Sequence, residues 1–337
     1  MEFVKYQSIE NSYIARVIQT IKDNMMDKIP YVVQEKAHGA NFAIYIDDVL
    51  EYKFAKRTNF IGEDESFYQY EDIFKYKKRF TELFVDVGAM KNFDYIVIYG
   101  ELIGGSYPHK DVNKANTPTI QKGVFYTPNI EFYGYDIRIR KGDSESFLDY
   151  DTVSRLFKKH QIPFANKLFE GNLDECLNYP NDGLSQIYKQ FNLPPIENNI
   201  MEGVVIKPVY DDRINGQRII LKNKNEKFIE KEKVKKEYNP EKYRLWGELE
   251  ELSLELKTYV TKNRFDNLKS KLGELDITMF DQIFKMFTDD VFSDFEKESE
   301  NSYELFESLN KSDRKLVMKN VNNKIIHLIK TYLIRGD

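Results

Sequence analysis

The chain has 337 residues, 41% hydrophobic and 31% charged, with 24 Phe and 23 Tyr, a balance that excludes a disordered chain. Fifty basic against 55 acidic residues leave a net charge of −5, which excludes nucleic-acid binding through bulk positive charge and confines any such site to a local patch. The lone Cys176 excludes an internal disulfide and a thiolate cluster, and with only His38, His109, His160 and His327 beside it no zinc site is expected.

In chain order, the first two thirds reads as mixed strand and helix. Apolar runs rich in β-branched and aromatic residues fall at Tyr31–Val33, Asn41–Ile46, Asp94–Tyr99, Ile130–Ile139, Glu202–Ile206 and Arg218–Leu221, and each predicts a strand. Between them stand turn-like segments such as GGSYP, TPTIQKG and RINGQ. From Tyr243 the texture changes: Leu245, Leu249, Leu252, Leu256 and Tyr259 recur at helical spacing, as do Phe280, Ile283, Phe284 and Phe287, then Ile325, Ile326, Ile329, Tyr332 and Leu333. Asn239-Pro240 is a natural break. The expectation is an α+β chain with a large domain over 1–237, a linker over 238–244 and a helical domain over 245–337. No run of eighteen apolar residues occurs, and the first residues lack a basic start followed by an apolar core, so a soluble, cytoplasmic monomer is expected, without a membrane partner.

The most informative stretch follows the first predicted strand: Glu35-Lys36-Ala37-His38-Gly39-Ala40-Asn41. A lysine amine attacks only when neutral, so a nucleophilic lysine needs desolvation or neighbouring cations, and the end of a buried strand can supply both. Gly39 permits a sharp turn or the close approach of a ligand. His38 and Asn41 can hold ligand oxygens or water. On its own this pattern is equally a polar turn at a strand end. Four more polar clusters end predicted strands: Lys56-Arg57-Thr58, Gly100-Glu101, Glu202-Gly203-Val204-Val205-Ile206-Lys207-Pro208 and Lys222-Asn223-Lys224. Between Lys222 and Lys242 lie eight lysines and five glutamates, a candidate basic patch whose later part also reads as a solvated, charge-interleaved helix.

Together with Phe132-Tyr133-Gly134-Tyr135-Asp136, these motifs resemble, in order and over residues 31–224, those of the covalent nucleotidyltransferases that join nucleic acids, and within them the RNA ligase 2 family that includes the RNA-editing ligases. DNA ligases and capping enzymes favour Asp and Arg at the positions of His38 and Asn41. In the tail, Tyr259–Arg264 and Lys271–Glu274 resemble the small helical domain of these ligases. Two departures stand out: Tyr135 replaces the usual Phe, and the loop Gly104–Gly123 is longer than in the shortest members.

The resemblance implies a ligase-type adenylation domain of antiparallel sheets, and a reaction in which Lys36 attacks the α-phosphate of ATP and expels pyrophosphate. AMP then passes to an RNA 5′-phosphate, and an RNA 3′-hydroxyl displaces it, sealing nicks in duplex RNA. It further implies Mg²⁺, or Mn²⁺, as the metal. Lys222 and Lys224, two residues apart on one strand, share a face and make a phosphate clamp. Lys207 is expected to polarise the α-phosphate and repel the proton of Lys36. Glu101 and Glu202 are expected to divide ribose and metal binding, Glu101 leaning to ribose and Glu202 to metal, the bland alternative being two salt-bridged carboxylates. Arg57 is a fork for phosphate or ribose, Tyr135 stacks adenine, Glu35 reads its edge and His38 touches phosphate. Lys56, Asp136 and Lys224 are the expected RNA contacts, with Asp136 also suited to orienting neighbouring cations. The competing expectations are a DNA ligase, a GTP-dependent capping enzyme, and an RNA-binding relative without catalysis.

Overall fold

The structure, a computed structural model, describes residues 1–229 and 246–335. The expected linker 238–244, the Asn239-Pro240 break, Leu245 and most of the charged run beyond Lys227 lie outside the described residues. By contacts the chain divides into two units: Met1–Lys227 with Ser270–Gly273, and Phe228–Lys269 with Glu274–Asp337.

In the first unit the strands are β1 (Glu10–Asn11), β2 (Tyr31–Glu35), β3 (Ala40–Asp47), β4 (Tyr52–Lys56), β5 (Tyr95–Gly104), β6 (Ile130–Lys141), β7 (Ser144–Phe147), β8 (Lys167–Gly171), β9 (Gly203–Pro208), β10 (Arg213–Ile214), β11 (Gln217–Arg218) and β12 (Leu221–Lys224). One sheet runs β1-β12-β9-β2-β8, the other β4-β3-β5-β6-β7, and β10 pairs with β11. Every pairing is antiparallel except β1 with β12. All six expected strand regions carry strand, and β4 ends at the Lys56 cluster as expected; β7 and β8 were not expected, because their short, mostly exposed sequences carry little apolar signal.

The continuous apolar run of β3 follows from burial on both faces. Phe42, Ile44 and Ile46 point to a core built with Ile96, Ile98, Phe132 and the helices α2 (Lys77–Met90) and α3 (Tyr150–Lys159). Ala43 and Tyr45 point the other way, into a cluster with Val97, Tyr99, Tyr6, Val205 of the first sheet and Ile220, the residue before β12. That cluster joins the two sheets face to face. Beyond it, in register, lie the polar ends of the same strands. The far face of the first sheet, with Val33, Val204 and Ile206, is covered by Ile21 of α1 (Ala15–Asp23) and by Leu173 and Cys176 of α4 (Leu173–Leu177). Asp149 caps α3 by accepting from Thr152 N, and Asn172 with Glu175 closes a capping box on α4.

The second unit is helical: α5 (Trp246–Thr258), α6 (Lys262–Leu272) as far as Lys269, α7 (Phe280–Glu298), α8 (Glu300–Ser308) and α9 (Lys311–Arg335). Four-residue stripes, Ile283-Phe287-Val291-Phe295 on α7 and Val317-Val321-Ile325-Ile329 on α9, are buried, as the apolar periodicity requires. Buried Arg264 is neutralised by Asp290 and Asp294. No helix among the described residues is long and apolar enough to cross a membrane.

Candidate active site

The site gathers at the ends of β2, β3, β5, β9 and β12. Lys36 leaves β2 with its backbone N–H donating to Gly203 O at 2.9 Å, so the two strand ends that carry Lys36 and Glu202 are hydrogen-bonded together. Lys36 Nζ then donates to Glu202 Oε2 at 2.7 Å. His38 Nδ1 stands 3.4 Å from the same oxygen, and Lys224 Nζ lies 3.3 Å from Oε1. Glu202 is 1% exposed. Burial by itself would raise its pKa, but Lys36, Lys224 and His38 together outweigh that and hold the carboxyl well below the usual range.

Gly39 has a structural reason: a Cβ there would stand 2.3 Å from Leu102 O, so the turn after Lys36 packs directly on β5. Tyr126, absent from the sequence reading, accepts from His38 N at 2.8 Å and fixes the same turn. Gly203 adopts φ +147°, and a Cβ on it would lie 2.2 Å from Asn223 O. Only glycine lets β9 and β12 approach closely enough to bring Glu202 and Lys224 together.

On the second sheet Asn41 and Glu101 are directly paired across β3 and β5. Asn41 Nδ2 donates to Tyr135 OH at 2.7 Å. Desolvation pushes the half-buried Glu101 carboxyl up to about 7, with the Glu202 charge adding to the rise and Lys36 and Arg57 opposing it. Arg57 Nη2 donates to Ser8 Oγ at 3.3 Å. Tyr135 and Asp136 are neighbours in sequence yet both face the space between the sheets, because a bulge opposite Tyr99/Gly100 absorbs one residue of β6.

Asp136, expected to contact RNA, lies in a buried ion-pair cluster. It is 1% exposed and accepts from Lys207 Nζ at 2.5 Å, Arg218 Nη1 at 2.8 Å and Tyr6 OH at 2.5 Å. These cations, Arg218 first, overcome burial and hold its carboxyl below the usual range. The other expectation, that Asp136 orients cations, matches this geometry. Lys207 is correspondingly not a bare cation: its Nζ also donates to Tyr135 O at 3.1 Å, so the repulsion it was expected to exert on Lys36 is offset by Asp136. Arg218 and Tyr6 escaped the sequence reading, since nothing local marks residues whose partners lie 82 and 130 positions away.

Lys56, another expected RNA contact, is paired with Glu65 and 10% exposed at its side chain. Glu35 turns its carboxylate to Gln186 N, 2.7 Å away; burial raises this carboxyl to about 7, and its Oε1 has no hydrogen-bond partner among the described residues. Lys222 lies on β12 opposite Val205, the face it shares with Lys224. His109 lies in the 107–111 turn, where its Nδ1 accepts from Asp111 N.

No group of three or more His, Cys, Asp or Glu able to hold a metal ion occurs among the described residues. The donor set still fits Mg²⁺: this ion keeps several waters and takes one or two carboxylates alongside ligand phosphates, and Glu202 Oε1, buried, accepting no hydrogen bond and held only by the charge of Lys224 3.3 Å away, is an oxygen of the right kind.

The family model described as RNA ligase matches residues 29–224, and the one described as T4 RNA ligase 2 C-terminal matches residues 245–327. Among known proteins, the mitochondrial RNA-editing ligase 2 of Trypanosoma brucei brucei is 26% identical over 357 residues, covering 89% of this chain and 84% of that one. Mitochondrial RNA-editing ligase 1 of the same organism is 29% identical over 222 residues, covering 57% of this chain and 47% of its own length. Among solved structures, an apo mutant of a Naegleria gruberi RNA ligase superposes with a TM-score of 0.46 at 16% identity over 67% of this chain and 57% of that chain. A second mutant of that ligase, solved with AMP and Mn, gives 0.46 at 17% identity with the same coverage. With more than half of its length matched by the first family model and its tail by the second, the chain belongs to the RNA ligase family, on the RNA ligase 2 branch.

Proposed function

We propose that this protein is an ATP-dependent RNA ligase that joins a 3′-hydroxyl to a 5′-phosphate at nicks in duplex RNA. The observation that carries the reading is the contact of Lys36 Nζ with Glu202, inside a buried cluster completed by Lys224 and His38. A lone strand-end lysine has no reason to meet Glu202 and Lys224, which come from segments more than 160 residues away.

In the first step the lone pair of Lys36 Nζ attacks the α-phosphorus of ATP; the N–P bond forms as the P–O bond to pyrophosphate breaks. The ammonium must first give up one proton to solvent together with its bond to Glu202, and a second proton leaves to solvent as the N–P bond forms. Glu202 and Glu101 are the groups that would hold Mg²⁺ beside the phosphates, where it would supply charge neutralisation. Lys224 and Lys222 face the leaving phosphates, Tyr135 stacks the adenine, and Arg57 and Glu101 hold ribose or phosphate oxygens. In the second step a 5′-phosphate oxygen of RNA takes the AMP from Lys36; in the third an RNA 3′-hydroxyl attacks that 5′-phosphate and AMP leaves. Each step is an in-line phosphoryl displacement, so positioning and charge neutralisation dominate. The helical unit, through its likeness to the RNA ligase 2 tail domain, is assigned to holding the duplex.

Intact-mass measurement after exposure to ATP and Mg²⁺ tests the first step: an AMP-sized increment is expected on the parent and none on Lys36→Ala. Labelling by GTP and not by ATP would overturn the reading in favour of a capping enzyme. Matched RNA, DNA and hybrid nicks test the rest, with sealing expected only where RNA supplies the 3′-hydroxyl. Efficient closure of an all-deoxy 3′ strand would indicate a DNA ligase.

A further inference from the structure

One short segment, residues 181–186, reaches the ends of all three strands that carry the lysine–glutamate cluster. Asn181 donates from Nδ2 to Asn223 Oδ1 at 2.8 Å and to the backbone carbonyl of Lys224 at 2.9 Å. Gly183 O accepts from Met201 N, the residue before Glu202, at 2.9 Å, and Ser185 N donates to Asn199 O at 2.8 Å. Gln186 N donates to the side chain of Glu35, the residue before Lys36, at 2.7 Å. The segment therefore ties down Lys224 itself and the chain neighbour of each of the other two residues.

The tie at Asn181 matters most for geometry. Lys224 is the last residue of β12, where the ladder stops supplying donors and a strand-end carbonyl must find another. The next residue still holds to β9, with Asn225 N donating to Glu202 O at 2.8 Å. The lysine side chain is long and flexible, so the position of its amine, 3.3 Å from Glu202 Oε1, depends on a fixed backbone. Asn181 supplies that by spending one amide nitrogen on the strand-end carbonyl and on the side chain just before it. A hydroxyl has one proton and cannot make both bonds.

We propose that Asn181 is a positioning residue of the ligase site, holding the end of β12 so that Lys224 stays in register with Glu202 and with the phosphates that Lys36 attacks. This rests on the ligase reading above. Asn181 touches no reacting atom; it acts through Lys224.

The test is the single-turnover rate of Lys36 adenylylation by labelled ATP, measured on the full chain for the parent, Asn181→Ala, Asn181→Asp, Lys224→Ala and the double variant Asn181→Ala with Lys224→Ala. Asn181→Asp keeps the shape while removing both donated bonds, and it carries the comparison if the alanine variant fails to fold. The expected result is a fall of about tenfold to a hundredfold in the rate at saturating ATP, the scale of an ångström-level misplacement. Half-saturating ATP should stay close to that of the parent, and in the Lys224→Ala background the Asn181 change should cost almost nothing more. Parent-like rates in both Asn181 variants would overturn the inference. So would a loss that multiplies in full with that of Lys224→Ala, because Asn181 would then act by another route. A parent protein that forms no adenylate at all would sink the ligase reading, and this inference with it, before any variant is compared.

Discussion

Glu35, Glu202 and Asp136 are buried carboxylates of one chemical kind, and their surroundings set different charges on them. Asp136 has two cations in contact and stays ionised. Replacing it by Asn leaves Lys207 and Arg218 buried without a counter-charge, which is expected to cost about 3–5 kcal/mol in denaturant titration. Adenylylation should fall as well, since Lys207 loses its anchor; parent-like stability of Asp136→Asn would contradict the ion-pair geometry. Tyr135 gives a second prediction at this scale. Tyr135→Phe removes the bond from Asn41 but keeps the ring, so ATP affinity should change by no more than about tenfold, the worth of one hydrogen bond. Tyr135→Ala also removes the stacking surface and should weaken ATP binding by roughly 1–3 kcal/mol more, measurable by titration calorimetry. The identities of Lys36, Glu202 and Lys224 were legible in the sequence because each ends an apolar run; Tyr6, Tyr126, Asn181 and Arg218 were not, because their partners are remote in the chain.

At the scale of elements, the two-residue spacing of Lys222 and Lys224 was enough to place both on one face, and β12 pairs them opposite Val205 and Gly203, which share a face of β9. The same alternation fails on β6, where it would send Tyr135 and Asp136 to opposite sides. The bulge opposite Tyr99/Gly100 brings both inward, and no local residue pattern announces it. Gly203 is the corresponding tight point on β9. Gly203→Ala must push Asn223 O away from a 2.2 Å contact and strain a positive φ, so a loss of about 1–3 kcal/mol is expected in thermal or chemical unfolding. Because the displaced atoms adjoin both Glu202 and Lys224, Gly203→Ala should slow adenylylation even in preparations that remain folded; an unaffected rate would show that the cluster tolerates movement of β12.

For the whole molecule, the raised carboxyl of Glu35 shapes stability against pH. Folded Glu35 titrates at about 7 against an ordinary 4.5, so between those values the folded state holds a proton that the unfolded chain has released. Its contribution is fully present below pH 4.5 and is lost as pH rises through 7, amounting to about 3 kcal/mol by linkage. Glu202 and Asp136 have the opposite sign: their contribution holds above the ordinary carboxylate range and is lost in acid. Glu101, also raised to about 7, contributes with the same sign as Glu35, so Glu35→Gln should reduce without abolishing the decline of unfolding free energy between pH 5 and 8 and leave the acid limb in place; a variant curve parallel to that of the parent would refute the buried-carboxylate account. The sequence by itself determined the α+β class, the helical texture of the tail and a set of candidate site residues, because period-two and helical apolar patterns and strand-end polar clusters are local signals. Only the tertiary structure decided which groups meet: that Glu202 joins Lys36, that Asp136 neutralises Lys207 and Arg218, and that Lys56 pairs with Glu65. Those choices depend on sheet register, a bulge and close backbone contacts between segments far apart in the chain, and no local run of residues encodes them.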